Sequence, residues 1–244
     1  MPDPFENGNT WFMYSKLERD FLDTTSYVAL QINHNNVWSE KYGELLTRTG
    51  DLIDSVFRLM INSKSLDGET SVSTLRTKIV KKRTENQNWF PKIGDFRSAF
   101  ESVFQLSKIE VDADYGLSSY GKLNPFKDFD TKNPSWWEPY NKVKHELFQE
   151  MEKKATLVHS LNALAGLFLL NILHKESQRY LIRYTDTIFV EFLQRKQIEK
   201  ALGTSFIGAP HNMSAFKFIA RTPLFTHVFR TDSDPSKKAG SLLE

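Results

Sequence analysis

The chain has 244 residues and a formal net charge of +2, with 40% hydrophobic and 25% charged residues, the balance of a packed globular protein. It contains no cysteine, which excludes disulfides, thiolate metal sites and cysteine nucleophiles. The net charge is too small to predict nucleic-acid binding from composition, so a site of that kind would have to come from local clustering of basic residues.

Two stretches bear on where the protein resides. The first six residues are acidic and poor in apolar side chains, so they do not resemble a secretory signal. The longest apolar run, residues 161–173, is interrupted by Asn162, Gly166 and Asn171 and is too short to cross a bilayer. We therefore predict a buried helix at this run, no membrane partner and a cytoplasmic location.

Helical periodicity dominates the first third of the chain. Apolar stripes predict one helix over about 14–32 and a second that begins at Ser39, whose hydroxyl can cap free amides. A third, shorter helix is predicted from Ser73 to the Lys-Lys-Arg run at 81–83. These three basic side chains could contact phosphate. Alternatively, they could simply be stabilised by the negative end of the helix dipole.

The fold prediction is a mainly all-α protein, built as an antiparallel helical bundle over residues 1–175. Within it, residues 105–135 form a long connector whose aromatic side chains should pin it to the bundle surface, and a loop of this length is usually functional or a cover. Residues 176–230 are predicted to be an extension packed on the bundle, in which 216–229 could adopt an extended conformation. The polar tail 231–244 is predicted to be disordered.

The strongest helical segment, Ser135 to His174, begins with a cluster of polar and aromatic residues. Its members are Trp136, Trp137, Tyr140, Asn141, Lys142, Lys144 and His145. On a helix, Asn141 and Lys142 share a face with His145. An imidazole can move a proton near neutral pH, and a cation can stabilise charge that grows on phosphorus. The alternative interpretation is structural, with Asn141 bonded to a neighbour and the tryptophan pair in the core.

This cluster, followed by Leu-Asn-Ala-Leu-Ala-Gly-Leu at 161–167, resembles the C-terminal half of HEPN-type helical proteins. The earlier part is similar to a bacterial subgroup of them, in which a helix like 17–27 precedes a break like 35–39 and a second helix like 45–60. The resemblance covers roughly residues 10–175. It implies an antiparallel bundle that usually pairs as a homodimer, and many members are metal-independent endoribonucleases in defence or toxin–antitoxin systems.

The HEPN signature is an arginine, then usually a polar residue, then a histidine. His145 and Asn141 match the histidine and polar positions, whereas Tyr140 stands where the arginine is expected. The arginine normally helps to bind the scissile phosphate, and a tyrosine lacks its charge. The resemblance leaves Lys142 or Lys144 as the cation that could compensate.

Two functional hypotheses follow. The first is a noncatalytic or regulatory binding and dimerisation module with an RNA or protein partner and a defence-associated role, in which Lys144, Tyr140, Trp136 and Trp137 form the binding residues. The alternative is a metal-independent endoribonuclease with His145 as general base, Lys142 as phosphate clamp and Asn141 as orienting group. The sequence has no phosphate-cradling glycine loop and no histidine spacing typical of metal ligands, so we expect neither a metal nor a cofactor.

Overall fold

In the computed structural model of this protein, residues 4–115, 118–193 and 215–229 are described. Within them the chain forms helices α1 Asn9–Thr24, α2 Glu40–Ile61, α3 Thr70–Glu85, α4 Ile93–Phe104, α5 Trp137–His145, α6 Leu147–Lys154, α7 Leu157–Leu173 and α8 Lys175–Tyr184. It also forms strands β1 Val111–Tyr115, β2 Ser118–Leu123, β3 Ile188–Leu193, β4 Ala215–Arg221 and β5 Phe225–Phe229. The mainly helical prediction is confirmed, and the tail predicted to be disordered lies outside the described residues.

The centre of the molecule is the packing of α2 against α7. Helix α7 is apolar on all sides and buried along nearly its whole length, as expected for a helix at the core of a bundle. Gly166 lets it approach the connector closely, because a Cβ at this position would lie 3.3 Å from the Phe126 ring. The run at 161–173 is therefore a core helix, as predicted.

A layer of phenylalanine rings joins three parts of the chain. Phe57 of α2 lies with its ring centroid 5.1 Å from that of Phe96 and 5.4 Å from that of Phe100, both on α4. On its other sides it contacts Phe126 and Phe129 of the connector, at 6.2 and 6.3 Å. Offset aromatic pairs of this kind add to the free energy of burial, and they pin the connector to the bundle.

The helix boundaries follow the predicted signals unevenly. Ser39 caps α2 as predicted, because its Oγ accepts a hydrogen bond from the Tyr42 N–H at 3.1 Å. Helix α3 begins at Thr70, and so Ser73 lies inside it rather than at its cap. The helical segment predicted over Ser135 to His174 is divided into three helices, α5, α6 and α7.

The sheet is a correction to the all-α prediction. Its five strands are antiparallel neighbours in the order β2-β1-β5-β4-β3. The connector supplies β1 and β2, and the extension supplies the other three strands. Asp112 and Ala113 of β1 pair with Thr226 and Phe225 of β5. The connector and the extension are therefore hydrogen-bonded to each other, and the extension completes a sheet at the side of the bundle.

A buried carboxylate fastens this sheet to the first helix. Glu18 of α1 accepts hydrogen bonds from the Tyr14 hydroxyl at 2.9 Å, from the Leu224 N–H at 3.2 Å and from the Thr222 hydroxyl. Burial raises the pKa of Glu18 and raises that of Tyr14 well above its usual range. The turn between β4 and β5 is thus held on α1 by polar groups that satisfy one another.

Among the described residues, no single helix combines the length and apolar composition that a crossing requires. Helices α7 and α8 meet those criteria only when taken together, across a bend of 87°.

Candidate functional site

Helix α5 carries the cluster that the sequence analysis singled out, and its start is fixed by Trp136. This side chain is fully buried, its Nε1 donates a hydrogen bond to the Pro125 carbonyl at 2.8 Å, and its ring meets the edge of Phe126 at 6.1 Å. Trp137 is half-buried and contacts the Trp136 ring edge-on at 5.7 Å. Trp136 therefore anchors α5 to the connector, and the predicted binding role does not fit its position.

The inner face of α5 binds α2 through one carboxylate. The Tyr140 hydroxyl donates a hydrogen bond to Asp51 Oδ1 at 2.6 Å, and Lys144 Nζ lies 2.6 Å from the same oxygen. Lys144 Nζ also donates to the Tyr140 hydroxyl oxygen at 3.0 Å. Three polar groups thus close a triangle between two helices, and we call Asp51, Tyr140 and Lys144 the α2–α5 triad.

A glycine makes room for the triad. A Cβ built at Gly50, the residue before Asp51, would lie 2.3 Å from a carbon of the Tyr140 ring, a separation that no real side chain tolerates. Tyr140 is buried apart from its hydroxyl edge. The ring therefore lies flat against the α2 backbone, and its hydroxyl is brought to the next residue of that helix.

Electrostatics keep Tyr140 neutral and Lys144 charged at neutral pH. Burial, reinforced by the hydrogen bond to Asp51, raises the pKa of Tyr140 to about 12. The hydrogen bonds to Asp51 and to Tyr140 raise the pKa of Lys144 above its ordinary value. Tyr140 is thus a neutral donor and Lys144 a cation, and both are committed to Asp51. Neither group is poised to exchange a proton with a substrate.

The outer face of α5 lines an open surface groove of about 310 Å³. The side chains that form it include Trp137, Glu138, Asn141, Lys142, His145 and Glu146. His145 is exposed at the last residue of the helix. The structure thus brings Asn141, Lys142 and His145 to one face, as helical spacing predicted, and places Tyr140 and Lys144 on another.

Two of the groove's polar side chains already have partners on the same stretch of chain. Asn141 Nδ2 donates to the Trp137 carbonyl at 2.8 Å, one helical turn earlier. Lys142 Nζ lies 3.0 and 3.1 Å from the two carboxylate oxygens of Glu146, which raises the pKa of Lys142. Glu138 contributes a second carboxylate to the groove wall. A phosphate that entered here would meet two like charges beside one neutralised lysine.

The sequence analysis missed the acidic partners, above all Asp51. This residue is 89 positions from Tyr140 in the chain, and nothing in the local pattern of α2 distinguishes it from a solvated aspartate. Glu146 could have been found, because it follows Lys142 at the i, i+4 spacing that favours ion pairs on a helix. Within the described residues, no three histidine or carboxylate side chains cluster in a way that could hold a metal ion.

Comparisons of the chain with protein-family models, with curated proteins and with solved structures found no match. The HEPN-like resemblance of residues 10–175 accordingly stays a prediction from the sequence.

Proposed function

We propose that this chain is a noncatalytic, HEPN-like binding module in which the polar residues of α5 hold the bundle together. The observation that carries the proposal is the pairing of both lysines of the cluster. Lys144 is bound to Asp51 and Lys142 to Glu146. A nuclease without a metal must offer positive charge to the scissile phosphate, and here the available charge is already offset.

The two pairs do not restrain their lysines equally. The Lys142–Glu146 pair is exposed on both sides, and exposed ion pairs contribute only about 0–1 kcal/mol. The Lys144–Asp51 pair is equally exposed, but it shares its carboxylate with the Tyr140 hydroxyl. Tyr140 also stands at the position of the signature arginine, which in HEPN proteins binds phosphate. In this chain the residue at that position binds Asp51 of α2 instead.

A second candidate function is favoured by one observation, the presence of an exposed His145 and Lys142 on one groove. In this alternative, His145 takes the proton from a ribose 2′-hydroxyl, and the oxygen attacks the adjacent phosphorus to form a cyclic phosphate. The bond from phosphorus to the 5′-oxygen breaks, and the departing oxygen receives the proton back from His145. Lys142 would leave Glu146 to offset the charge on phosphorus. That two copies pair across this groove stays a prediction. So does the partner, which is either an RNA or a protein.

A cleavage assay in the presence of a chelator separates the two functions. We expect the full chain to leave single-stranded RNA of mixed sequence intact on a denaturing gel, and the His145→Ala variant to behave in the same way. Because His145 is exposed, this substitution should also leave the unfolding midpoint unchanged. The proposal fails if the native protein cuts RNA and the folded variant is about 100-fold or more slower, which is the typical contribution of a general base.

A further inference from the structure

The second half of α3 and the residues after it carry a local excess of positive charge. Residues 76–97 contain seven basic and two acidic side chains, a net charge of +5, in a chain whose total is +2. The rest of the chain is therefore net negative by 3. The seven cations are Arg76, Lys78, Lys81, Lys82, Arg83, Lys92 and Arg97. A local asymmetry of this size creates a positive potential that the overall composition conceals.

Helix α3 gains little from burial. Of its sixteen residues only Val72 and Leu75 are buried, and both lie in its first half. Ile79 packs against the core but is only partly buried. The other attachments are polar, and among them the Ser71 hydroxyl donates to the Ala99 carbonyl at 2.7 Å and Lys78 Nζ lies 2.5 Å from Asp95 Oδ1. The last turns therefore present their side chains to solvent. A helix that is polar nearly all round owes little of its stability to packing, and its surface is open to a partner.

An aromatic ring stands next to this basic helix. Phe90 is 49% exposed, and two guanidinium groups approach its ring. The Cζ of Arg58, on α2, is 4.8 Å from the ring centroid, and that of Arg83, on α3, is 5.4 Å from it. Arg58 is also paired with Asp54 at 2.6 Å, and Arg83 Nε donates to the Trp89 carbonyl at 3.4 Å. Cation–π contacts thus fix a ring that still exposes half of its surface.

Several cations beside this ring remain available. In the part of the chain that the structure describes, neither Lys81 nor Arg83 has a carboxylate within 4.0 Å. Lys82 is paired only with Glu85, and both of these side chains are exposed. Lys81 and Lys82 also line an open depression of about 490 Å³ along the helix. Glu85 lines the same depression. This surface therefore differs from the α5 groove in Lys81 and Arg83, two cations that no described carboxylate offsets.

We propose that the α3 surface, defined as Lys81, Lys82, Arg83 and Phe90, binds single-stranded nucleic acid. The cations contact phosphates, and one base stacks on the exposed part of the Phe90 ring, the combination that proteins use for single strands. Paired bases in a duplex do not offer that stacking face, because they are stacked on each other. The inference goes beyond the proposed function by naming the partner class of the binding module and the place where it binds.

Fluorescence anisotropy of the full chain with labelled oligo(U) and oligo(dT), each of about 12 nucleotides, tests this inference. We expect at least one oligonucleotide to bind, with an affinity that falls steeply as salt rises. The double variant Lys81→Gln/Lys82→Gln should bind about tenfold more weakly and reduce the salt slope by about 1 for each lysine. Phe90→Leu should also weaken binding about tenfold, through lost stacking, but leave the salt slope unchanged.

The matched control is Lys122→Gln/Lys132→Gln, which removes the same charge from two exposed lysines of the connector. It should bind like the native protein. The inference is overturned if the native protein binds neither oligonucleotide at low salt, if the control loses as much affinity as the α3 variant, or if anionic vesicles bind where single strands do not. Oligo(dT) lacks the 2′-hydroxyl that metal-independent cleavage needs, so the protein cannot cut it in that way. Its binding therefore tests the α3 surface even if α5 proves to be catalytic.

Discussion

Replacing Trp136 with alanine is expected to lower the free energy of unfolding by about 4 kcal/mol, within the range measured for large aromatic residues in protein cores. The side chain is fully buried between α5 and the connector, and its Nε1 is bonded to the Pro125 carbonyl. Its removal leaves a cavity against Phe126 and a buried carbonyl without its donor. Chemical denaturation followed by circular dichroism measures the loss.

The neighbouring tryptophan supplies the control for this experiment. Trp137 has the same side chain but is only half-buried, on the groove side of α5. Trp137→Ala should cost about 1 kcal/mol, since less apolar surface returns to water. Equal losses for the two variants, or a Trp136→Ala variant as stable as the native protein, would contradict the assignment of Trp136 to the core.

The second large effect is expected from Gly50→Ala, which we predict to lower the free energy of unfolding by about 2 kcal/mol through overpacking. The added methyl group would lie 2.3 Å from the Tyr140 ring, so the ring must move away from α2. This loss should occur although alanine favours a helix over glycine by about 1 kcal/mol. Denaturation curves give the stability, and near-ultraviolet circular dichroism reports the displacement of the tyrosine.

Gly94 provides the matching glycine in another helix. It lies in α4, and a Cβ there would meet only the Arg97 guanidinium, at an ordinary distance of 3.6 Å. Gly94→Ala should therefore leave the protein equally stable or slightly more stable. If the two substitutions have the same effect, the close approach of Tyr140 to α2 is not what makes glycine necessary at position 50.

The elements that the sequence predicted best are those with signals inside a single stretch of chain. The cap at Ser39 and the apolar face of α2 are local features, and the uninterrupted apolar character of α7 implies burial on all sides. The sheet has no such signal. Strand β1 buries only Val111 and Ala113, an alternation too short to stand out, and its neighbour β5 begins more than a hundred residues later.

The residues of the candidate site divide in the same way, into those placed by local spacing and those placed by contacts between distant parts of the chain. Helical spacing sufficed to place Asn141, Lys142 and His145 on one face, and the structure agrees. Spacing could not show which of the tandem tryptophans enters the core, because adjacent residues on a helix differ by only about 100° in direction. Nor could it show that Asp51 would meet Tyr140, since such a contact depends on how two distant helices pack.

The most direct test of the account is a double-mutant cycle on Tyr140→Phe and Asp51→Ala, with unfolding free energies measured for the native protein, both single variants and the double variant. Our account, in which this hydrogen bond joins α5 to α2, predicts a coupling energy of about 1 kcal/mol, given a charged acceptor that is partly exposed. Effects that add to within about 0.3 kcal/mol would contradict it, and would leave Tyr140 and Lys144 free to serve a ligand.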